Sequence, residues 1–148
     1  MSFLPSDTYK TIVDTMPVLC VDAIINNEIG QYLLVKRAVE PLKGEWWVPG
    51  GRVYKCETLE EAVKRKMREE LGIEVRVMGA GGYYEDHFHK DPLNAAGGLH
   101  TLAIVFYAQR LSLDIKLDNQ SAEWGFFKDL PQRLAIKPFT KYGSKFPS

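Results

Sequence analysis

Apolar positions along this chain change period several times, and each change marks an element. Tyr9, Ile12, Val13 and Met16 are the apolar positions of a segment closed by Pro17, so Ser6 to Thr15 is expected to be a short helix capped at Ser6. Val18 to Ile25 is apolar except at Asp22, as in a largely buried strand. Asn26, Asn27, Glu28 and Gly30 supply a turn, and Gln31 to Arg37 returns as a second strand. Glu40 to Lys43 is a loop, followed by a short aromatic strand, Glu45 to Pro49, carrying Trp46 and Trp47. Leu59, Val63, Met67 and Leu71 then recur at spacing four, the buried stripe of a helix from Thr58 to Leu71. Glu74 to Glu85 and Leu99 to Leu111 are two long strands around a polar, glycine-rich loop from Asp86 to Gly98. Glu123 to Lys128 is a further strand, and Asp129-Leu130-Pro131 opens a short final helix. Strands, helix, strands, helix in that order predict an α/β sandwich on a mixed sheet.

The central helix carries the most information. Thr58 and Glu61 form a capping box at its start, and Gly72 stands where a left-handed stop residue is expected. Glu57, Glu61, Arg65 and Glu69 also recur at spacing four, so Arg65 is placed to tie Glu61 to Glu69. Such a column is ordinarily a solvated salt-bridge ladder. Two features change that picture. Glu69 and Glu70 lie at the helix C-terminus, where the macrodipole disfavours negative charge, and a divalent cation would compensate them. Pro49-Gly50-Gly51-Arg52 precedes the helix, and its two glycines let the backbone approach a ligand closely. Carboxylates beside an open backbone loop suit magnesium or manganese held against a phosphate.

Composition narrows the class. A chain of 148 residues suits a single domain spanning 1–148. With 19 basic and 19 acidic residues there is no global basic field, so nucleic acid is not an expected partner. No apolar run reaches membrane-spanning length, and no signal peptide is evident. Two cysteines in unlike contexts, Cys20 and Cys56, fit a reduced, cytoplasmic home. Asp22 is either an outward-facing strand residue or a carboxylate lining a substrate pocket. Arg37 and Arg52 could each fork onto a phosphate, Arg52 being better placed directly after the glycines. His87-x-His89 could turn two imidazoles to one side, but no third ligand lies at a convincing spacing for zinc, so His87 is expected as a loop histidine near substrate. Trp46, Trp47, Tyr83 and Tyr84 could stack a base, although aromatics in a domain this size are mostly core.

Gly51, five residues, Glu57, seven residues, Arg65, then Glu69-Glu70, one residue, Gly72 and Ile73 resemble the Nudix box, with Lys66 at the fixed position where that family has glutamate. The resemblance implies a Nudix α/β/α sandwich with a mixed sheet and a loop-helix, and a magnesium- or manganese-dependent hydrolase of nucleoside diphosphate derivatives. A finer resemblance, to the GDP-mannose mannosyl hydrolases, rests on Asp22, on Leu33-x-x-Lys36-Arg37, on Gly44-x-Trp46-x-Val48-Pro49-Gly50-Gly51-Arg52-Val53, and on Asp118-x-Gln120. It implies hydrolysis of GDP-mannose or GDP-glucose with water attacking the sugar C1. Metal ligands would be Gly50, Glu70 and Gln120, with Glu69 restoring the usual acid pair. Arg37 and Arg52 would stabilise the leaving diphosphate, and Asp22 would lie near the sugar. A homodimer through the N-terminal segment is implied by the same resemblance. Ser121 stands where that subfamily has its histidine base, so His87 or Asp22 would take the role, or attack would fall on phosphorus with Glu69 or Glu123 activating the water. Lys66 and Ser121 also suggest a non-catalytic nucleotide-sensing module, in which Lys66 would occupy the metal position with its own charge and pair with Glu70 one turn later.

Overall fold

The computed structural model describes residues 4–89, 97–112 and 114–139. Its elements are α1 (Ser6–Thr15), β1 (Val18–Ile25), β2 (Tyr32–Arg37), β3 (Trp46–Trp47), β4 (Gly50–Arg52), α2 (Leu59–Leu71), β5 (Val75–Phe88), β6 (Leu99–Arg110), β7 (Ser121–Phe127) and β8 (Lys137–Pro138). Five strands form one sheet in the order β4-β1-β6-β5-β8, and three form a second in the order β3-β2-β7. The larger sheet is mixed: β1 runs parallel to β6, and its other pairs are antiparallel.

β1 explains why its sequence is apolar on both faces. Val21, Ala23 and Ile25 join α2 and Leu33, Val35, Phe106 and Ala108 in one core cluster. Ile24 faces the other way, into a cluster with Leu34, Trp47, Val48, Tyr84 and Val105. A strand covered on both sides has no solvent face to alternate toward. α2 presents the expected Val63, Met67 and Leu71 stripe, with Ala62, Lys66 and Glu70 buried along its flank.

The capping box on α2 forms as expected. The Glu61 amide donates to Thr58 Oγ1 at 3.1 Å, the Thr58 amide donates to Glu61 Oε2 at 2.8 Å, and Gly72 closes the helix at φ 64°. Several expectations are corrected. Pro5, not Ser6, is the N-cap of α1, and no side chain caps it. The mixed sheet itself is as expected, with a separate three-stranded sheet in addition. Gly50–Arg52 is a strand paired with β1, hidden in the sequence because glycine has low strand propensity. β5 runs on to Phe88, three residues beyond its expected end at Glu85. The final helix is absent among the described residues: a turn at Gln132 and Arg133 leads instead to β8, which pairs with β5. Residues 90–96 of the expected loop lie outside the described residues.

Candidate active site

The register of β1 with β4 sets the geometry of the site. Asp22 lies opposite Gly50, Val21 opposite Gly51 and Cys20 opposite Arg52. The approach is so close that a Cβ at Gly50 would sit 2.0 Å from Asp22 Oδ1 and 2.2 Å from the Val21 carbonyl. At Gly51 it would meet the Lys66 side chain at 2.5 Å. The two glycines therefore let a strand pass between a buried aspartate on one side and α2 on the other.

A pocket of about 570 Å³ opens over this junction. Its lining includes four cationic side chains, Arg37, Arg52, Arg65 and Lys66, and the less polar Tyr9, Cys20, Trp47, Tyr84 and Phe88. Asp22 and Gln120 line it as well. Asp22, Arg37, Gly50, Arg52 and Gln120, far apart in the sequence, thus meet around one cavity.

Asp22 is the buried carboxylate of the two readings, not the exposed one. Tyr84 Oη donates a hydrogen bond to Asp22 Oδ2, and Trp47 Nε1 donates to Tyr84 Oη at 3.2 Å. Burial pushes the Asp22 carboxyl up to about 7, held back by the Tyr84 hydrogen bond and the Arg37 charge. Burial and the neighbouring aspartate push the Tyr84 phenol well above its ordinary value, so it remains a donor. Burial likewise pushes the Cys20 thiol up to about 12, leaving it without nucleophilic character near neutrality.

Glu70 is fully buried behind β4. The Gly50 amide donates to its Oε2 at 3.0 Å, while Oε1 has no hydrogen-bond partner among the described residues. Burial pushes its carboxyl up to about 7; Lys66 and Arg37 pull against this, Asp118 adds to it, and the Gly50 hydrogen bond opposes it. An orphaned buried carboxylate oxygen is costly, and its chemistry suits a divalent cation. Among the described residues no three His, Cys, Asp or Glu side chains converge as a ready-made cage. The orphaned Glu70 oxygen fits magnesium, which keeps several waters and shares substrate phosphates rather than needing an all-protein cage.

Glu69 and Glu57 have other partners. Glu69 Oε2 accepts from Arg65 Nη1 at 3.1 Å and lies 3.7 Å from Lys66 Nζ. Arg65 does not tie Glu61, which is occupied by the cap. Its Nε and Nη2 instead donate to Glu57 at 2.6 and 2.9 Å, and Nη2 also donates to the Arg52 carbonyl at 2.8 Å. Tyr54 stacks beneath it, with Arg65 3.6 Å and Arg52 4.7 Å from the ring centre. The hydrogen bonds from Arg65, with one from the Tyr54 amide, hold the Glu57 carboxyl below its usual range. Glu57 and Arg65 are thus the strut that ties the loop to the helix.

His87 is a correction. It lies in β5 rather than a loop, is exposed, and stacks on His100 at 4.0 Å across the sheet. Strand alternation sends Tyr84 and Phe88 into the pocket and His87 to the other face. Ser121, at the position of the subfamily's histidine, is buried, and its Oγ has no partner among the described residues. Sequence reasoning missed the Tyr84–Asp22 contact. The place of Lys66 beside Glu70 was legible, because Ala62, Lys66 and Glu70 recur at spacing four beside the apolar stripe, and the structure buries both.

Comparison with known proteins agrees with this loop-helix geometry. The NUDIX domain pattern matches residues 16–142, and the chain belongs to that family. It is 34% identical over 138 residues to the low-salt glycan biosynthesis protein Agl8 of Haloferax volcanii, covering 93% of this chain and 86% of that protein. It is 35% identical over 111 residues to an ADP-ribose pyrophosphatase of Methanocaldococcus jannaschii, covering 75% of this chain and 62% of that one. The crystal structure of a MutT protein from Methanosarcina mazei superposes with a TM-score of 0.65 at 30% identity, covering 75% of this chain and 77% of that one. The protein is a Nudix hydrolase of nucleoside diphosphate derivatives, and no helix among the described residues is long and apolar enough to cross a membrane.

Proposed function

We propose that the substrate is a nucleotide sugar, GDP-mannose or a close relative, cleaved to GDP and the free sugar by water attacking the sugar C1. The observation that carries this is one cavity lined both by Arg37 and Arg52 and by a buried, hydrogen-bonded Asp22. The glycan-biosynthesis name of the Haloferax relative supports a sugar-linked substrate.

In this scheme the diphosphate lies along Arg37 and Arg52, whose guanidiniums meet the negative charge that grows as the C1–O bond breaks. Asp22 faces the sugar and takes the proton from the attacking water. A carboxyl held near 7 is matched to that task at neutral pH, where Ser121 is a poor base. Tyr84 and Trp47 keep the carboxylate aimed. Glu70, Glu69, the Gly50 carbonyl and Gln120 would hold a magnesium or manganese ion, which supplies Lewis-acid stabilisation of the departing diphosphate. The free thiols Cys20 and Cys56 suit a reducing, cytoplasmic compartment.

The pyrophosphatase relative favours a second scheme, attack on phosphorus with Glu69 or Glu123 activating water. Glu123 is exposed and pairs with Lys36 at 3.2 Å, and Glu69 is shared by two cations. Turnover of GDP-mannose in oxygen-18 water separates the schemes. The label is expected in the sugar; label in phosphate would establish the second. No turnover of GDP-mannose, GDP-glucose, ADP-ribose or any nucleoside triphosphate would favour a non-catalytic nucleotide-binding module.

A further inference from the structure

Lys66 has a geometry that neither scheme uses. It sits inside the acidic end of α2, its residue only 7% exposed. Its ammonium lies 3.7 Å from Glu69 Oε2, its charge acts on Glu70, and it lines the same pocket as Arg37 and Arg52. Its aliphatic stem fills the space that the missing side chain of Gly51 leaves. A buried lysine held this way is neither a solvated surface charge nor a simple salt-bridge partner, because it opens onto the cavity.

We propose that the Lys66 ammonium is a built-in cation of the diphosphate site. It contacts a phosphate oxygen itself, and its positive charge stands where a second divalent ion would otherwise be needed to neutralise Glu69 and Glu70. This rests on the assignment of the pocket to a diphosphate, but not on which bond is cleaved. Two consequences follow. The chain binds a diphosphate with useful affinity in the absence of any divalent ion, and it binds one divalent ion where a carboxylate at position 66 would allow two.

The test uses inorganic pyrophosphate, GDP and Mn²⁺ as probes on the full chain. Isothermal titration in EDTA is expected to detect binding of pyrophosphate or GDP to the wild type. Lys66→Met, which keeps the stem and removes the charge, is expected to weaken that binding at least about tenfold, and Lys66→Arg to restore most of it. Electron paramagnetic resonance is expected to count one Mn²⁺ on the wild type and two on Lys66→Glu. A purely structural lysine would alter the melting temperature of Lys66→Met without altering these affinities. The proposal is overturned by no metal-free binding of either probe to the wild type, by unchanged affinity in Lys66→Met, or by two Mn²⁺ on the wild type. The last count needs no variant, so a misfolded substitution does not rescue the idea. Because neither readout involves turnover, failure of the GDP-sugar assignment would leave this result legible.

Discussion

The adjacent glycines Gly50 and Gly51 offer the same added methyl group two different fates. Neither has a positive φ, so alanine is conformationally acceptable at both. At Gly50 the new Cβ meets backbone, 2.2 Å from the Val21 carbonyl and 2.8 Å from Asp22 Cα, as well as Asp22 Oδ1 at 2.0 Å. Backbone cannot step aside without parting β4 from β1. At Gly51 the three nearest atoms to the Cβ all belong to the Lys66 side chain, Cε at 2.5 Å and Cδ and Nζ at 3.0 Å. A flexible side chain can swing away. Gly50→Ala therefore takes the upper end of the overpacking range, about 3 kcal/mol, and Gly51→Ala less than about 1 kcal/mol. For a chain of this size each kcal/mol moves the melting temperature by roughly 2–4 °C, giving a loss of about 6–12 °C against about 4 °C or less. Thermal unfolding by circular dichroism in EDTA reads both. Gly51→Ala should instead lose metal-free pyrophosphate affinity, because Lys66 is the group that moves. A Gly50→Ala protein melting within about 2 °C of wild type, or a larger loss in Gly51→Ala, would refute the reasoning.

Arg65→Met breaks the Glu57 pair, whose side chains are 18% and 13% exposed, and frees the Arg52 carbonyl; it should cost about 2–4 kcal/mol in urea unfolding, and a loss under about 0.5 would deny the strut. Asp22 has a folded-state value near 7 against an ordinary 3.8, so its contribution is full below about 3.8 and is lost as pH rises toward 7; Asp22→Asn should flatten the fall in metal-free stability across that window in chemical denaturation. Tyr84→Phe removes the hydrogen bond that holds Asp22 down, so the acid limb of the pH–rate profile should move to higher pH, and an unmoved limb would take Asp22 out of the proton transfer.

The helix and its loop were legible because their signals are local. Thr58, Glu61 and Gly72 mark the ends of α2 by cap chemistry alone, and spacing four marks its buried stripe. The Val18–Ile25 strand was legible because burial on both faces leaves a continuous apolar run. What failed depends on pairing. Gly50–Arg52 becomes a strand only because β1 accepts it, and no periodicity announces that. The turn at Gln132 and Arg133 took the place of an expected helix because Ile136, Lys137 and Pro138 close against Gly82 on the edge of β5. His87 was misplaced because β5 runs three residues past its expected end and carries the histidine onto the far face. Asp22 was left open between two faces until the β1–β4 register set it beside Gly50 and the fold brought Tyr84, 62 residues on, to its carboxylate. The partner of a buried polar group is long-range information.

Glu70→Gln gives the most direct test of the site as a whole. The amide keeps the shape and can still accept the Gly50 hydrogen bond, but it removes the charge behind the orphaned Oε1. Mn²⁺ affinity and the turnover number on the best nucleoside diphosphate substrate are measured together on the wild type and the variant. A fall of about tenfold or more in affinity and about a hundredfold or more in kcat is expected. Both quantities within about twofold of wild type would mean that the buried carboxylate of α2 neither holds the cation nor serves the reaction.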